Sequence, residues 1–217
     1  MTATILLSTK RARDFCLDVL GQLGVPSAAA AVGADSMLYA SLRGVDSHGI
    51  TLLSIYAESI RSGQTVPERY WQVQRQGAAS AWCDGQNGFG PALALQAVDL
   101  AIDKARTSGL GAVSLAASNY VGAIGFYVAR AAAAGFLGLA AANATPRVVP
   151  YGGRDGLHGT NPFAYAVPAA GTEPLVFDAA TGHSAARVIQ ALEEGRPLAA
   201  GVHWMLMVKR LLTLKLQ

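Results

Sequence analysis

The stretch RGVDSHGITLL, Arg43 to Leu53, puts Arg43, Asp46, Ser47 and His48 at the mouth of an apolar segment. Two chemistries fit such a knot. Asp46 or Ser47 can cap a helix by accepting backbone N–H bonds, with His48 riding on its first turn. Alternatively His48 moves protons, as an imidazole with an ordinary pKa of about 6.5 can, while Ser47 and Asp46 orient its ring. A serine hydrolase is a poor fit, because no G-x-S-x-G elbow is present. His48, His158, His183 and His203 are scattered without metal-ligand spacing, so no metal site is expected. A second candidate is the glycine-rich run from Asn143 to Pro162, where Gly152, Gly153, Gly156 and Gly159 precede Thr160 and Asn161. Backbone without Cβ permits close approach to a phosphate or an amide, but plain turn chemistry explains the glycines equally well.

The elements that must carry these residues are legible from periodicity. Lys10 to Leu23 has helical apolar spacing, with Ser8 or Thr9 as cap and Gly24 as stop. Pro26 opens a second helix reaching Leu42, and a third is expected from about His48 to Ile60. Trp71–Val73 and Ser80–Cys83 read as short strands, and DGQNGFGP (Asp84 to Pro91) as a turn-rich loop before a helix ending near Thr107. LGAVSLAA, a helix over Ala123–Ala134 and FLGLAAAN form a strand–helix–strand unit, expected to be a parallel pair with a crossover. FAYAVP and PLVFD are further strands, and Ser184–Glu194 a helix. The expected class is therefore α/β: a helical lobe over residues 1–68, an α/β domain over 69–201, and a tail over 202–217.

Composition narrows the function. The 217 residues are 52% apolar and 14% charged with 24 glycines, which suits a compact, closely packed chain and argues against disorder. The net charge of +3 resides in the tail, where Lys209, Arg210 and Lys215 stand without an acid. The rest holds 14 basic against 14 acidic residues, so no nucleic-acid partner is expected. No secretory leader is visible, and the most apolar segment, Val128 to Ala142, is shorter than the ~20 residues a span requires. Cys16 and Cys83 offer no disulfide framework. A cytoplasmic chain without a membrane partner is expected. The turn after the third strand, SNYVGAIG, lacks the G-x-G-x-x-G fingerprint, which excludes a Rossmann nucleotide site of the usual kind.

Together RGVDSHGI, CDGQNGFGP, GGRDGLHGTNPFAYAVP and VFDAAT occur in the order found in the malate/L-lactate dehydrogenase family, which the chain resembles over about residues 10 to 201. The resemblance implies a non-Rossmann NAD(P)-binding α/β fold, NAD or NADP as cofactor, a homodimer, and hydride transfer to or from a small 2-oxo or 2-hydroxy acid or a cyclic 2-imino acid. It matches Ser47 and His48 to the family's catalytic pair and Thr160 to a substrate-contacting position. Asp178, Ala179 and Ala180 match a cofactor-contacting strand end, and Asn143, Gly159 and Asn161 lie on the loop facing the cofactor.

The chain departs from that pattern in informative ways. Leu52 stands where many members carry the carboxylate-binding arginine, leaving Arg43, Arg147 or Arg154 as alternative cations. Tyr120 stands where a second histidine is usual, and with a pKa near 10 it is a proton donor rather than a base at neutral pH. Gly182 and Val188 replace the serine and lysine of a further motif. The family is longer than this chain, and after EEGRPL an Asp/Gly-rich text is expected where AAGVHWMLMVKRLLTLKLQ stands. Read one base earlier, the codons of Trp204 to Val208 give Asp, Ala, then Asp, Asn, His or Tyr, then Gly. Permissive codons elsewhere extend this to A-L-D-A-D-G-Q-A-T; residues from about Val202 are therefore expected to be out of frame, which resequencing around the Gly201 codon tests. On this view the cofactor domain is incomplete at its C-terminus. The rival expectation is a non-catalytic remnant retaining only dimerisation or partial cofactor binding.

Overall fold

The computed structural model describes residues 6–150, 155–182 and Gly195. The chain divides into two compact units, one built from Met1–Gly138 with Ala166–Val176, the other from Leu139–Tyr165 with Phe177–Gln217.

In the first unit, α1 (Thr9–Gln22) begins where the Ser8 hydroxyl accepts the Arg11 N–H. It packs on α2 (Ser27–Ser41) and α3 (Leu52–Arg61) around Cys16, Leu20, Met37, Leu52, Leu53, Tyr56 and Phe89. Gly33 sits where an added Cβ would lie 2.8 Å from the Phe89 ring, so this close helix contact depends on its bare Cα. β1 (Gln72–Gln76) pairs antiparallel with β2 (Ser80–Asp84), with a register shift between Val73 and Arg75. α4 (Gly90–Ser108), with Pro91 in its first turn, then carries the chain back to β3 (Ala112–Ala116), which lies parallel to β2. Ala81 and Cys83 of β2 are buried, while Ser80 and Trp82 on the alternate positions face out. A loop from Ala117 leads to α5 (Gly125–Ala133).

The second sheet has the order β4-β5-β6, from β4 (Gly138–Ala141), β5 (Pro162–Val167) and β6 (Leu175–Ala180). Tyr165 and Phe177 stack on it with centroids 5.1 Å apart.

Two expectations are corrected. The third helix starts at Leu52, not His48, and Asp46–His48 forms a separate 3-10 turn. The break falls at Gly49, where an added Cβ would stand within 2.2 Å of Ser41 Oγ, the same hydroxyl that accepts the Ile50 N–H. Neither Asp46 nor Ser47 caps α3 through its side chain, and Thr51 takes the cap position. The expected parallel pairing of β3 with β4 is also absent: the parallel crossover is β2-α4-β3, and β4 belongs to the other sheet. Strand–helix–strand text reports chain order, and the two consecutive units of this kind compete for the same reading. The helix expected over Ser184–Glu194 and the tail from Val202 lie outside the described residues.

Candidate active site

The 3-10 turn frees Ser47 and His48 from helix capping and lets them bond each other. Ser47 Oγ lies 2.9 Å from His48 Nδ1, and His48 Nε2 lies 3.0 Å from the Tyr120 hydroxyl. A neutral imidazole carries one N–H, so the chain of bonds runs one of two ways. Either Ser47 donates to Nδ1 while Nε2–H donates to the phenol oxygen, or Tyr120 donates to Nε2 while Nδ1–H donates to Ser47. The first form becomes the second when Tyr120 gives its proton outward, each proton shifts one place along the chain, and Ser47 regains one from solvent. Ser47 is exposed and His48 half-buried, so the cluster lies at the surface of its unit.

Tyr120 reaches His48 from the loop after β3. Partial burial raises its phenol above the ordinary value of 10, so the hydroxyl keeps its proton through the neutral range. Tyr56 on α3 stands edge-on to Tyr120, ring centroids 6.4 Å apart, and edge-on to Phe89 at 5.2 Å. Tyr56 is 4% exposed, and its hydroxyl has no hydrogen-bond partner among the described residues. Burial, with Tyr120 adding to it, pushes that phenol far above its usual range.

Arg43 follows the end of α2 with its guanidinium carbon 3.6 Å above the Tyr39 ring centroid, while Nη1 donates to the Tyr39 carbonyl. Leu52 is 1% exposed and belongs to the core of the first unit.

The second unit gathers the other predicted residues on one support. Asn161, with φ of 38°, accepts the Ala144 N–H on its side-chain oxygen at 3.0 Å. Gly159 presses so closely on Ala144 that a Cβ would stand 2.2 Å from the Ala144 carbonyl oxygen. Thr181, just past the β6 end formed by Asp178, Ala179 and Ala180, donates its hydroxyl to the Asn161 carbonyl at 2.7 Å. Its N–H bonds the Thr160 carbonyl at 2.9 Å. Asn143, Thr160 and Asn161 thus share a loop tied to the β6 end, with Asn143 and Asp178 exposed.

Sequence reasoning passed over Thr181, Tyr56 and Asn119. Thr181 lies within VFDAAT and was detectable there. Tyr56 reads as a core aromatic at helical spacing, and only the orphaned hydroxyl marks it out. Asn119 reads as an ordinary loop residue, although its side chain reaches three backbone carbonyls. Among the described residues no group of His, Cys, Asp and Glu could hold a metal ion.

A helical layer packed on a mixed sheet, carrying a Ser–His–Tyr chain of hydrogen bonds, defines an α/β protein. Residues 7–205 match the malate/L-lactate dehydrogenase family, and the chain belongs to it. It is 40% identical over 168 residues to a malate dehydrogenase of Pyrococcus abyssi, covering 77% of this chain and 46% of that protein. It is 35% identical over 198 residues to a (2R)-3-sulfolactate dehydrogenase (NADP(+)) of Chromohalobacter salexigens, covering 90% and 59%. Among solved structures, delta1-piperideine-2-carboxylate reductase from Pseudomonas syringae pvar. tomato superposes with a TM-score of 0.83 at 35% identity, covering 91% of this chain and 60% of that one. The chain therefore spans about half the length of the curated relatives it matches.

Proposed function

We propose that this protein transfers hydride between NAD(P)H and C2 of a small 2-oxo acid or cyclic 2-imino acid, giving the 2-hydroxy or 2-amino acid. The observation that carries the proposal is the continuous chain Ser47–His48–Tyr120. A dihydronicotinamide, when bound, supplies the hydride. The protein's own residues supply the proton: the Tyr120 phenol gives it to the carbonyl oxygen or imine nitrogen, and His48 Nε2–H replaces it. Ser47 Oγ–H then refills Nδ1, with solvent replacing the serine proton. Raised above its ordinary value, the Tyr120 phenol is present as O–H at neutral pH, the form from which a proton can be given.

With Leu52 in the core, Arg43 is our candidate for the substrate carboxylate, its planar guanidinium suited to a bidentate grip. Thr160 is the second substrate contact. Asn143, Gly159, Asn161, Asp178, Ala179 and Ala180 are the proposed cofactor contacts. Their donor and acceptor groups, exposed Asn143 and Asp178 beside a close-packed backbone at Gly159, fit a carboxamide and ribose hydroxyls. We also propose a homodimer, as the family resemblance implies, working in the cytoplasm. Free, buried Cys16 and Cys83 suit a reducing compartment, and no helix among the described residues is long and apolar enough to cross a membrane.

The test is titration of NADH and NADPH fluorescence, followed by a panel of 2-oxo acids and cyclic 2-imines with each cofactor. Turnover should fall by about 10²–10⁴ in His48→Ala and in Tyr120→Phe. Cofactor binding without turnover on any substrate would favour the remnant. Full activity in Tyr120→Phe would overturn the relay.

A further inference from the structure

The Tyr120 phenol meets His48 from a loop that has no regular structure of its own. Ala117 at one end has φ of 46° and Gly122 at the other has φ of 78°, so neither helix nor strand geometry sets where Tyr120 points. What sets it is the adjoining turn DGQNGFGP together with one carboxamide. Gly85 N–H donates to the Ala116 carbonyl and Asn87 N–H to the Ala117 carbonyl, both at 2.8 Å, which prolongs the β2–β3 pairing into the loop. Gly90 lies flat against the loop, where a Cβ would fall 2.5 Å from the Tyr120 carbonyl oxygen and 2.6 Å from that of Asn119. The Asn119 side-chain NH2 then faces the carbonyls of Gln64 at 3.1 Å, Asn87 at 3.0 Å and Gly88 at 3.4 Å.

Two hydrogens serve three acceptors, so the site demands a double donor. A carboxylate there would oppose three carbonyl oxygens, and an apolar side chain would strip all three. The choice of acceptors gives the contact its meaning. Gln64 follows α3, whose N-terminal end adjoins the turn bearing His48, while Asn87 and Gly88 belong to the platform under Tyr120. One side chain thereby ties the loop carrying the donor to the far end of the helix that follows the turn bearing His48. On the far side of Tyr120, the buried Tyr127 hydroxyl donates to the Val121 carbonyl and holds the loop's exit.

We infer that Asn119 is a positioning residue for the proposed proton transfer: its carboxamide, clasping Gln64, Asn87 and Gly88, holds the Tyr120 hydroxyl on His48 Nε2. This rests on the relay proposed above, and the test separates the two. The full chain is labelled with 3-fluorotyrosine, and the ¹⁹F signal of Tyr120 is assigned by its loss in Tyr120→Phe. Across the range where imidazoles titrate, that signal should show an inflection that disappears in His48→Ala. In Asn119→Ala the inflection should vanish although His48 is intact. Turnover should fall about 10–100-fold while the cofactor Kd stays within about twofold, the pattern of misplacement rather than lost binding. Should Asn119→Ala not fold, Asn119→Ser keeps one donor on a short stem, and its inflection should be smaller than that of the wild type. An inflection of unchanged size in the folded Asn119 variant overturns the inference while leaving the relay intact. An inflection missing from the wild type refutes the relay itself, and the positioning role with it.

Discussion

Replacing Tyr56 by Phe should stabilise the protein, which is unusual for a substitution in the core of a natural chain. The Tyr56 hydroxyl is buried and has no partner among the described residues, and its oxygen points at the bare Cα of Gly122, 3.2 Å from where a Cβ would be. A buried donor without an acceptor costs about 1–3 kcal/mol in lost hydration. Phe removes that cost and keeps the ring, so the edge contact to Phe89 persists. Allowing for the small void left by one oxygen, the expected gain is about 1–2 kcal/mol, or roughly 2–8 °C in Tm for a chain of this size. A second signature lies at high pH. Burial raises the folded-state pKa of Tyr56 above its unfolded value of 10. The unfolded chain therefore loses its phenol proton first, and stability is intact below about pH 10 and falls as pH rises towards the folded value. The slope is about 1.4 kcal/mol per pH unit for this one group. Tyr56→Phe lacks that slope, so its advantage should widen above pH 10. Urea unfolding at pH 7, 10 and 11 on both proteins measures both effects. A loss of 1 kcal/mol or more at pH 7 would mean the hydroxyl is satisfied, and the reasoning would fail.

Three further outcomes follow from the geometry. Leu52→Arg places a cation where Leu52 is 1% exposed in the core; the variant should lose about 3–5 kcal/mol in denaturant unfolding, as an unpaired buried charge does. Equal stability with a lower KM for the acid would show instead that this side chain reaches the substrate. Gly90→Ala drives a methyl into the Tyr120 carbonyl oxygen, so steady-state kinetics should show turnover falling about tenfold or more with little change in cofactor Kd. Thr181→Val removes the hydroxyl that bonds the Asn161 carbonyl; fluorescence titration should give NADH or NADPH binding about threefold to tenfold weaker, and unchanged binding would detach this loop from the cofactor.

The sequence was most informative where side-chain type alone decides conformation. Ser8 ahead of the α1 periodicity, Pro91 in the first turn of α4 and the alternation around Ala81 and Cys83 each have a local cause, and each element formed where that cause lies. The start of α3 was misjudged because its break is tertiary: Gly49 has no space for a Cβ beside Ser41, a contact eight residues back that no local pattern encodes. Strand pairing failed for the same reason, since β3 could pair across either neighbouring helix.

The site divides along the same line. That Ser47 and His48 are adjacent is a fact of sequence, but that Tyr120, 72 residues on, completes their hydrogen-bond chain is a fact of folding. The glycines of DGQNGFGP had looked like turn chemistry. They are spaced to let a loop without structure of its own lie on a turn, with Asn119 fastening it. Two positions where the sequence was expected to depart from the family have different characters. Leu52 belongs to the core. At Tyr120 a phenol meets His48 and, with its pKa raised by partial burial, is present as O–H at neutral pH.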